Sequence, residues 1–584
     1  MLGSRTRPAW AGAAIAATVV LSILPVERPA LAQQLLPCDQ GSYDPDSYSH
    51  VSDKGPFDIG EQEIVELESD VDGATIQMGV IRPDVPAGTK VPVILTASVY
   101  LHPLQEMDLR NCRPFLINNY VPHGYAVAVL AVRGTADSGG CMNLMGPQER
   151  ADIDHAVTWL GTRPWADGNV GMIGKSYDGA TAWMGAAFRN PHLKTIVPAS
   201  GVPDLFGLMF GAGTPDWRGP TVLQNIYYVE SGVFYAPGRS PEHTAEVLAC
   251  PEYAVGNAAS AYTTATGMVD PFGYWEERIY TRDIERNYRG SIFLIQGLQD
   301  WNVNPGQQFP WIKTFEKRGL TVKYMLGQWG HSWPDQDSDH YRGDFADILL
   351  DWFDRWLKQD RSAPIGPTAQ VEDADGKWRD SSNWPPTSAE TVRLWLTPED
   401  ALSEAPSKDE AVEIVAADPL HTQHGYSYSM PPEGLEDTCI PDVCAYFETP
   451  PLKEDLRIAG LPQLDLRVVP SGPGGGLSAY LYQLSEQGAT RVGWGQVNLA
   501  FKAAGVQRNV TPGEEMRLRF DLQPLDARVP EGSKLALLIS HGSGWNRLPS
   551  APSYPIQLLE GGRAASFTFL EPEVEPGDFF KPPR

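Results

Sequence analysis

The sequence predicts an α/β fold with a helical cap insertion, followed by a C-terminal β-sandwich domain. Between residues 72 and 357, near-continuous apolar runs alternate with helix-like stretches, which is typical of a mostly parallel sheet covered on both faces. The alternation breaks between residues 201 and 290, and short period-two runs replace it after residue 360. These changes of pattern predict three structural parts in a chain of 584 residues.

Three strands and two helices are predicted around the first half of the sheet. The apolar runs Val91–Val99 and Tyr125–Val132 predict strands that are buried on both faces. Residues 151–160 repeat apolar side chains at helical spacing, and Val170–Ile173 follows as a further strand. Residues 180–189 then read as a helix, which completes a strand, helix, strand and helix rhythm.

The same rhythm returns after the cap and ends near residue 357. Strands are predicted at Ser291–Ile295 and Thr321–Leu326, and residues 345–357 place their aromatic and aliphatic side chains on one helical face. Beyond a Pro-containing linker at 362–367, alternating runs predict the strands of a β-sandwich. These runs are Val392–Leu396, Leu464–Val469, Met516–Leu522 and Lys534–Ile539.

The N-terminal residues match a secretory signal peptide. Arg5 and Arg7 form a basic region, residues 10–24 carry no charge, and Ala30–Ala32 supplies a small-residue cleavage site. A membrane anchor is the alternative, but spanning needs about 20 apolar residues. We therefore expect a secreted protein, extracellular or periplasmic, with no stable membrane insertion after cleavage.

The predicted parts then have definite bounds. They are a signal peptide at 1–32, an α/β domain at 33–200 and 291–365, a cap insertion at 201–290 and a β-sandwich domain at 366–584.

Composition and cysteine content exclude several classes of protein. A net charge of −27 repels phosphate backbones, so nucleic acid is not an expected partner. An even number of cysteines in an exported chain permits disulfides, and Cys439 with Cys444 could close one loop, while the other pairings stay open. The paired spacing of a zinc site is missing, so no metal is expected.

The segment Gly174-Lys-Ser-Tyr-Asp-Gly179 is the clearest candidate for chemistry. It lies between a predicted strand and a predicted helix, where a sharp turn would raise the hydroxyl of Ser176 above the sheet edge as a nucleophile. The strict GxSxG pattern is not met, because Asp178 occupies the position of the second glycine. A serine in an ordinary strand-to-helix turn is the competing interpretation.

Asp300 and His331 are the candidate partners of that serine. A serine hydroxyl needs a base, usually a histidine oriented by a carboxylate, and in α/β-hydrolases the chain order is Ser, acid, His. Asp300 follows the strand Ser291–Ile295, and His331 follows the strand Thr321–Leu326. Both therefore stand at carboxyl ends of predicted strands, where open α/β sheets build their sites. Other histidines fit the order without following such a strand, namely His340, His421, His424 and His541.

An acyl-transfer enzyme also needs donors for the developing oxyanion. The backbone N–H of Tyr177, the residue after the nucleophile, is the expected first donor. Tyr100 directly follows the strand Val91–Val99 and offers a phenolic O–H as the second. A packed aromatic residue at a strand end is the alternative interpretation of Tyr100.

At these residues the chain resembles the Xaa-Pro dipeptidyl-peptidase family of serine hydrolases, whose relatives include cocaine esterase-like and α-amino-acid ester hydrolases. The resemblance rests on ordered motifs and runs from about residue 70 to the C-terminus. The motifs are Val132-Arg-Gly-Thr-Ala-Asp-Ser-Gly-Gly140, Gly174-Lys-Ser-Tyr-Asp-Gly179, Tyr274-Trp-Glu-Glu-Arg278, Gly297-Leu-Gln-Asp-Trp-Asn-Val303 and Gly330-His331.

The resemblance implies an α/β-hydrolase domain with a helical cap and a C-terminal jelly-roll sandwich. It implies Ser176 as nucleophile, Asp300 as acid and His331 as base, with Tyr100 and the amide of Tyr177 as the oxyanion hole. No cofactor or metal is implied. Acidic residues of the peptidase branch bind the amino group of the substrate, but the resemblance does not assign them. The cap offers Asp204, Asp216, Glu230, Glu276 and Glu277 among others.

Three functions follow as hypotheses. The first is a dipeptidyl-peptidase that releases Xaa-Pro dipeptides from peptide N-termini through an acyl-enzyme intermediate. The second is a carboxylic ester hydrolase or acylase that uses the same three residues. The third is an exported carbohydrate-binding protein without catalysis, suggested by 17 Trp and 22 Tyr. A peptide or a small-molecule ester is thus the expected partner, and a homo-oligomer stays open.

Overall fold

The computed structural model describes most of the chain between residues 48 and 580. The described residues are 48–101, 104, 107–213, 249–271, 273–336, 341–373, 376–415, 444–503, 506–541, 554–572 and 579–580. The segment predicted as a signal peptide and the middle of the predicted cap lie outside them. Within the described part, no helix combines the length and apolar character that crossing a membrane requires.

A large mixed sheet forms the first domain, in the strand order β1-β2-β4-β3-β5-β6-β7-β8-β9-β10. Neighbouring strands from β4 through β3 to β9 run parallel, so their carboxyl ends meet at one edge. The strands are β1 (Ile59–Glu68), β2 (Thr75–Pro83), β3 (Val91–Ser98), β4 (Ala126–Ala131), β5 (Ala166–Lys175), β6 (Leu193–Ala199), β7 (Ser291–Gly297), β8 (Val322–Gly327), β9 (Ala369–Glu372) and β10 (Trp378–Ser381).

Helices cover both faces of this sheet, because both faces are apolar. Successive strand residues point to opposite sides of a sheet. In β3, Val93 and Leu95 belong to the core on one face, whereas Ile94 belongs to the core on the other. The helices are α1 (Leu109–Cys112), α2 (Pro114–Tyr120), α3 (Pro147–Gly161), α4 (Tyr177–Ala186), α5 (Leu205–Met209), α6 (Pro251–Thr266), α7 (Thr281–Asn287), α8 (Phe309–Lys317) and α9 (Phe345–Trp356).

The chain between β6 and β7 is the predicted cap insertion, and its described part is helical. It contains α5, α6 and α7 with short 3₁₀ turns at Gly211–Gly213 and Glu276–Arg278. A disulfide joins Cys141 in the loop after β4 to Cys250 at the start of α6. Cys112 and Cys444 are also disulfide-bonded. Cys439, predicted as a possible partner of Cys444, lies outside the described residues.

A second domain follows, with its own apolar core of alternating strand residues. Its main sheet has the order β13-β23-β15-β24-β11-β12-β14-β22-β16-β17, and β20 and β21 also pair with the long strand β15. The strands are β11 (Glu390–Thr397), β12 (Ala401–Ser403), β13 (Glu410–Val415), β14 (Cys444–Glu448), β15 (Leu456–Pro470), β16 (Gly476–Ser485), β17 (Gly488–Asn498), β18 (Phe501–Ala503), β19 (Val506–Gln507), β20 (Met516–Asp521), β21 (Leu525–Val529), β22 (Lys534–His541), β23 (Ile556–Gly561) and β24 (Ser566–Glu571).

The first sheet continues beyond residue 365, the end predicted for the α/β domain. β9 pairs in parallel with β8, β10 pairs with β9, and β25 (Phe579–Phe580) pairs with Trp378 and Arg379 of β10. Strands β9 and β10 are short and of mixed polarity, and the linker predicted at 362–367 assigns them to the following domain. Their position is set by pairing with β8, which local periodicity does not reveal.

The second domain packs directly on the cap. Phe501 occupies the space where a Cβ on Gly213 or Gly267 would stand, closer than 3.0 Å in both cases. Both glycines have positive φ, 77° and 68°, so their lack of a side chain serves conformation as well as contact. Asn498 adds a hydrogen bond from its side-chain amide to the carbonyl of Gly213 at 3.0 Å.

Candidate active site

Ser176 lies on a sharp turn between β5, which ends at Lys175, and α4, which begins at Tyr177. Its backbone has φ 63° and ψ −122°, a conformation that non-glycine residues avoid. Such strain costs about 1–3 kcal/mol and persists only where the surroundings impose it. The turn lifts Ser176 to the carboxyl edge of the parallel strands, which is the predicted nucleophile geometry.

Two glycines allow this turn and explain the departure from GxSxG. A Cβ on Gly174 would stand closer than 3.0 Å to the backbone of Asp178. A Cβ on Gly179 would stand 2.6 Å from the carbonyl oxygen of Ala199 at the end of β6. The helix therefore approaches the neighbouring strand at Gly179 rather than at Asp178, so the glycine is required one position later.

Asp300 and His331 form a direct hydrogen bond at the same edge. The distance from Nδ1 of His331 to Oδ2 of Asp300 is 2.8 Å. The other carboxylate oxygen, Oδ1, accepts the backbone N–H groups of Asn302 at 2.9 Å and Val303 at 2.8 Å. Asp300 is fully buried, whereas 17% of the His331 side chain stays exposed. This is the arrangement of an orienting acid and an accessible base.

The electrostatics keep Asp300 ionised. Burial alone raises the pKa of Asp300, but the charge and hydrogen bond of His331, the Val303 amide and the Ser200 hydroxyl lower it more, and the net shift is downward. An ionised carboxylate only accepts hydrogen bonds, so Nδ1 of His331 carries the proton. The second ring nitrogen, Nε2, is then the one that can accept a proton from a serine hydroxyl.

The structure links the nucleophile turn to the acid–base pair through Lys175. The ammonium of Lys175, the residue before Ser176, donates to the carbonyl of His331 at 3.2 Å. Ser176, Asp300 and His331 follow β5, β7 and β8, which are close neighbours in the sheet. Their catalytic roles stay predictions. The sequence pattern does not mark Lys175, since a lysine beside a turn is usually a solvated side chain.

The two residues predicted for the oxyanion hole flank this edge. Tyr100 follows β3, the neighbour of β5; it is half-buried, and its N–H donates to Oγ of Ser98 at 3.1 Å. Tyr177 supplies the first amide of α4, next to Ser176. Amides in the first turn of a helix point away from its hydrogen-bond ladder and are suited to a negative charge. The oxyanion role of both residues also stays a prediction.

The side chain of Tyr177 is fixed by Glu149, a residue that sequence reasoning missed. Its hydroxyl donates to Oε2 of Glu149 at 2.7 Å and accepts the N–H of Met145 at 2.8 Å. Glu149 is fully buried and also accepts the N–H groups of Asn143 and Met145. Burial raises the pKa of Glu149. In the sequence it resembles an ordinary acid in the first turn of a helix, which gives no sign of burial.

The structure describes four of the competing histidines and cap acids, namely His541, Asp204, Glu276 and Glu277. His541 ends β22 in the second domain, and Glu276 and Glu277 are exposed. Asp204 caps α5 through the amide of Gly207, and burial raises its pKa to about 6. The remaining candidates fall outside the described residues, namely His340, His421, His424, Asp216 and Glu230.

The described residues contain one group with the composition of a metal site, Cys141, Cys250 and Glu252. Two of its three ligand atoms are the sulfurs of the Cys141–Cys250 disulfide. A disulfide sulfur is not the thiolate that binds metal ions. This group therefore does not support a metal centre.

Comparison with known proteins agrees with the fold. Residues 72–333 match the model of the X-Pro dipeptidyl-peptidase (S15) family, and residues 366–563 match the model of the X-Pro dipeptidyl-peptidase C-terminal non-catalytic domain. A Streptomyces avermitilis protein, provisionally named a Xaa-Pro dipeptidyl-peptidase, is 28% identical over 579 residues, 86% of this chain and 81% of that protein.

Two solved structures share the architecture at low sequence identity. An aminopeptidase from a marine sediment Thaumarchaeota archaeon has a TM-score of 0.71 at 17% identity, covering 88% of this chain and 96% of that one. An α-amino-acid ester hydrolase has a TM-score of 0.68 at 18% identity, covering 91% and 99%. At these identities the likeness concerns the fold alone.

The fold and these matches define a serine hydrolase with an α/β-hydrolase domain and a second, β-rich domain, as the sequence predicted. The chain belongs to the X-Pro dipeptidyl-peptidase (S15) family. The hypothesis of a carbohydrate-binding protein without catalysis is thereby set aside.

Proposed function

We propose that this protein is an exported serine hydrolase that releases Xaa-Pro dipeptides from peptide N-termini through an acyl-enzyme intermediate. One observation carries the chemistry: a buried, ionised Asp300 binds the imidazole of His331 at the sheet edge where Ser176 stands on a strained turn. A hydroxyl, a base and an orienting acid are the parts that acyl transfer requires.

The reaction proceeds in two halves. Oγ of Ser176 attacks the substrate carbonyl while Nε2 of His331 takes its proton, and Asp300 stabilises the imidazolium that forms. The N–H of Tyr177 and the hydroxyl of Tyr100 donate to the oxyanion. His331 then protonates the leaving amine, which departs and leaves the dipeptidyl ester on Ser176. A water molecule enters, His331 takes its proton, and hydrolysis of the ester regenerates the serine.

The peptide substrate is supported by relatives rather than by contacts in this chain. The Streptomyces avermitilis relative carries a Xaa-Pro dipeptidyl-peptidase name, as does a Bacillus anthracis protein that is 24% identical. In both cases the match covers 81% of the length of the relative. A substrate with proline next to its N-terminal residue is therefore our first choice.

An ester hydrolase or acylase is the second candidate. The α-amino-acid ester hydrolase with a TM-score of 0.68 shows that the same two-domain architecture also occurs in a protein named for ester chemistry. Esters have better leaving groups than amides and need less protonation of the departing atom. The same three residues therefore suit either reaction, and only the preference for a substrate separates the two.

Export is supported by the N-terminal sequence pattern and by disulfides. The basic region, apolar run and small-residue cleavage site precede a chain in which Cys141 and Cys250 are bonded. Disulfides form and persist in oxidising compartments. Periplasmic or extracellular location is thus part of the proposal, and N-terminal sequencing of protein recovered outside the cytoplasm tests it by the expected start after Ala32.

A side-by-side assay of the purified protein tests the reaction and the substrate. We expect turnover of Ala-Pro and Gly-Pro anilides, and a loss of at least about 10³-fold in kcat for Ser176→Ala with an unchanged circular dichroism spectrum. Full activity of that variant would remove Ser176 from the mechanism. A kcat/KM for simple acyl esters that exceeds the anilide value by orders of magnitude would reject the peptidase in favour of the ester hydrolase.

A further inference from the structure

The loops that carry Asp300 and His331 are packed into one unit. We call residues 297–300 the aspartate loop and residues 327–331 the histidine loop. Leu298 donates its N–H to the carbonyl of Gly327 at 2.7 Å, and Gln299 donates its N–H to the carbonyl of Trp329 at 3.2 Å. A Cβ on Gly297 would stand closer than 3.0 Å to the carbonyl oxygens of Trp329 and Gly330. Any shift of one loop therefore displaces the other.

Gln328 connects this unit to the second domain. Its side-chain amide donates at 2.9 Å to the carbonyl of Glu372 on β9 and at 2.9 Å to the carbonyl of Asp526 on β21. Its Oε1 accepts from the side chain of Gln299 at 3.3 Å, and its own N–H donates to Oε2 of Glu372 at 2.9 Å. One side chain thus joins both loops, the edge of the first sheet and the other domain.

Asp526, the residue of the second domain whose carbonyl accepts from Gln328, is held rigidly. The carboxylate of Asp526 is fully buried and receives both Nε and Nη2 of Arg457, at 3.0 and 2.7 Å. Arg379 binds it at 2.9 Å and the indole of Trp384 at 3.1 Å. Charge-assisted and paired bonds of this kind fix position as well as supplying energy. The carbonyl of Asp526 that receives Gln328 is therefore a fixed point.

A second contact reaches the chain just after Asp300. The N–H of Gly306 donates to Oε1 of Gln523 at 2.8 Å, and Gln523 lies between β20 and β21. A Cβ on Gly306 would stand 2.6 Å from that same oxygen, so the two chains approach closely. The segment leading to Gly306 includes Val303, whose amide binds the carboxylate of Asp300. Both sides of the acid–base pair are thus supported from the second domain.

From these contacts we infer that the second domain, whose family model is called non-catalytic, positions the acid–base pair, and that Gln328 is the positioning residue through which it acts. The inference rests on the proposed function, since it concerns the alignment of His331 toward Ser176. Gln328 acts through the histidine loop. Displacement of a catalytic group by about 1 Å can cost about 10²-fold in rate.

The test is Gln328→Leu in the full chain. This substitution removes the side-chain hydrogen bonds and puts an apolar side chain of similar reach in place of the amide. We expect kcat for an Ala-Pro anilide to fall about 10–100-fold while KM changes less than about threefold, because alignment matters most in the transition state. The far-downfield proton NMR signal of the His331 Nδ1–H should shift or broaden. Partial unfolding would also lower the apparent kcat at constant KM, so both readouts are taken at a temperature where circular dichroism shows the variant to be fully folded.

Asn169→Leu is the matched control. Asn169, near the start of β5, donates its side-chain amide to the carbonyl of Leu357 at 2.9 Å, at the opposite end of the strand from Ser176. The control should lower the melting temperature and leave kcat and the NMR signal unchanged. An equal fall in kcat for both variants, or an unchanged kcat and signal in Gln328→Leu, would overturn the inference.

Gln523→Leu serves if Gln328→Leu does not fold. It removes the acceptor of the Gly306 amide, and we expect a fall in kcat of about 3–10-fold with the same NMR change. An unchanged kcat in this variant would then overturn the inference. Failure of the proposed function looks different: the unmodified protein itself would turn over neither anilide nor ester.

Discussion

The two halves of the candidate site are built in different ways. The nucleophile turn is held by nearby chain: Tyr177 binds Glu149 across 28 positions, and Gly179 packs on the end of β6. The acid–base half is held by distant chain: Gln328 binds Asp526 across 198 positions. Asp335, just beyond the histidine loop, binds Ser49 across 286 positions.

The position of Ser176 therefore depends on nearby chain, whereas the position of His331 depends on contacts with distant chain. A strand, a turn and a helix suffice to raise Ser176 above the sheet, so its geometry requires little beyond residues 143–201. The alignment of His331 requires the second domain to be folded and docked. Substitutions in the two halves should therefore differ in their consequences for activity and stability.

Asp300→Asn should have the largest effect. Asparagine keeps an oxygen for the amides of Asn302 and Val303, but it presents an N–H₂ group to Nδ1 of His331 and favours the wrong tautomer. We expect kcat/KM to fall about 10⁴-fold, with little change in the circular dichroism spectrum. A loss below tenfold in steady-state assays would show that Asp300 does not orient the base.

Gly179→Ala should break the nucleophile half by distorting its turn. The added Cβ would stand 2.6 Å from the carbonyl oxygen of Ala199 and 2.9 Å from Cα of Gly201, both backbone atoms that cannot swing aside. We expect a loss of about 2–3 kcal/mol in the free energy of unfolding and a clear fall in activity, measured by urea denaturation and anilide turnover. The matched control is Gly474→Ala, because a Cβ there meets nothing within 4 Å and the residue lies outside the left-handed region of φ. Equal losses in both variants would contradict the packing argument.

Tyr177→Phe should weaken the same half mildly. It removes one of the hydrogen bonds to the buried carboxylate of Glu149, while the amides of Asn143 and Met145 still bind it. We expect a loss of about 1–2 kcal/mol in stability, with kcat/KM reduced more than in Tyr288→Phe. Tyr288 is a buried tyrosine that donates to the carbonyl of Ser291 away from the site, so equal kinetics in the two variants would deny the link to catalysis.

Asp335→Asn should change how the stability of the protein depends on pH. Burial raises the pKa of Asp335 to about 6, against the bonds from Ser49, so its folded pKa exceeds the ordinary value of 3.8. Its contribution to stability is therefore present at low pH and is lost as pH rises through about 6. Relative to the variant, the unmodified protein should gain about 1 kcal/mol between pH 7 and pH 5 in urea denaturation. A difference that does not change with pH would contradict this assignment.

The sequence predicts the strand ends and the chain order of the candidate site residues, and the catalytic roles of these residues stay predictions. Ser176, Asp300 and His331 were placed from strand ends and motif order, and the structure puts them at one sheet edge. Glu149 and Gln328 were not found, because a buried acid and an interdomain glutamine have no periodicity that marks them. Their roles depend on tertiary contacts, as does the pairing of Cys141 with Cys250.

The last strands of the first sheet also show that a local sequence pattern does not predict tertiary pairing. The apolar runs predicted the buried central strands well, since burial on both faces leaves a continuous signal. Strands β9 and β10 contain Gln370, Glu372, Arg379 and Asp380, so they lack a continuous apolar signal, and the linker predicted at 362–367 puts the domain boundary before them. Their membership of the first sheet follows from pairing with β8, which a local pattern does not encode.

Mass spectrometry of the protein labelled with a fluorophosphonate tests the central claim most directly, because this reagent modifies a serine only when a base activates it. We expect a single phosphonate adduct at Ser176, on the tryptic peptide 176–189 or its extension through Lys175, and no adduct in Ser176→Ala. An adduct on a different serine, or substrate turnover by a protein that the reagent fails to label, would contradict it.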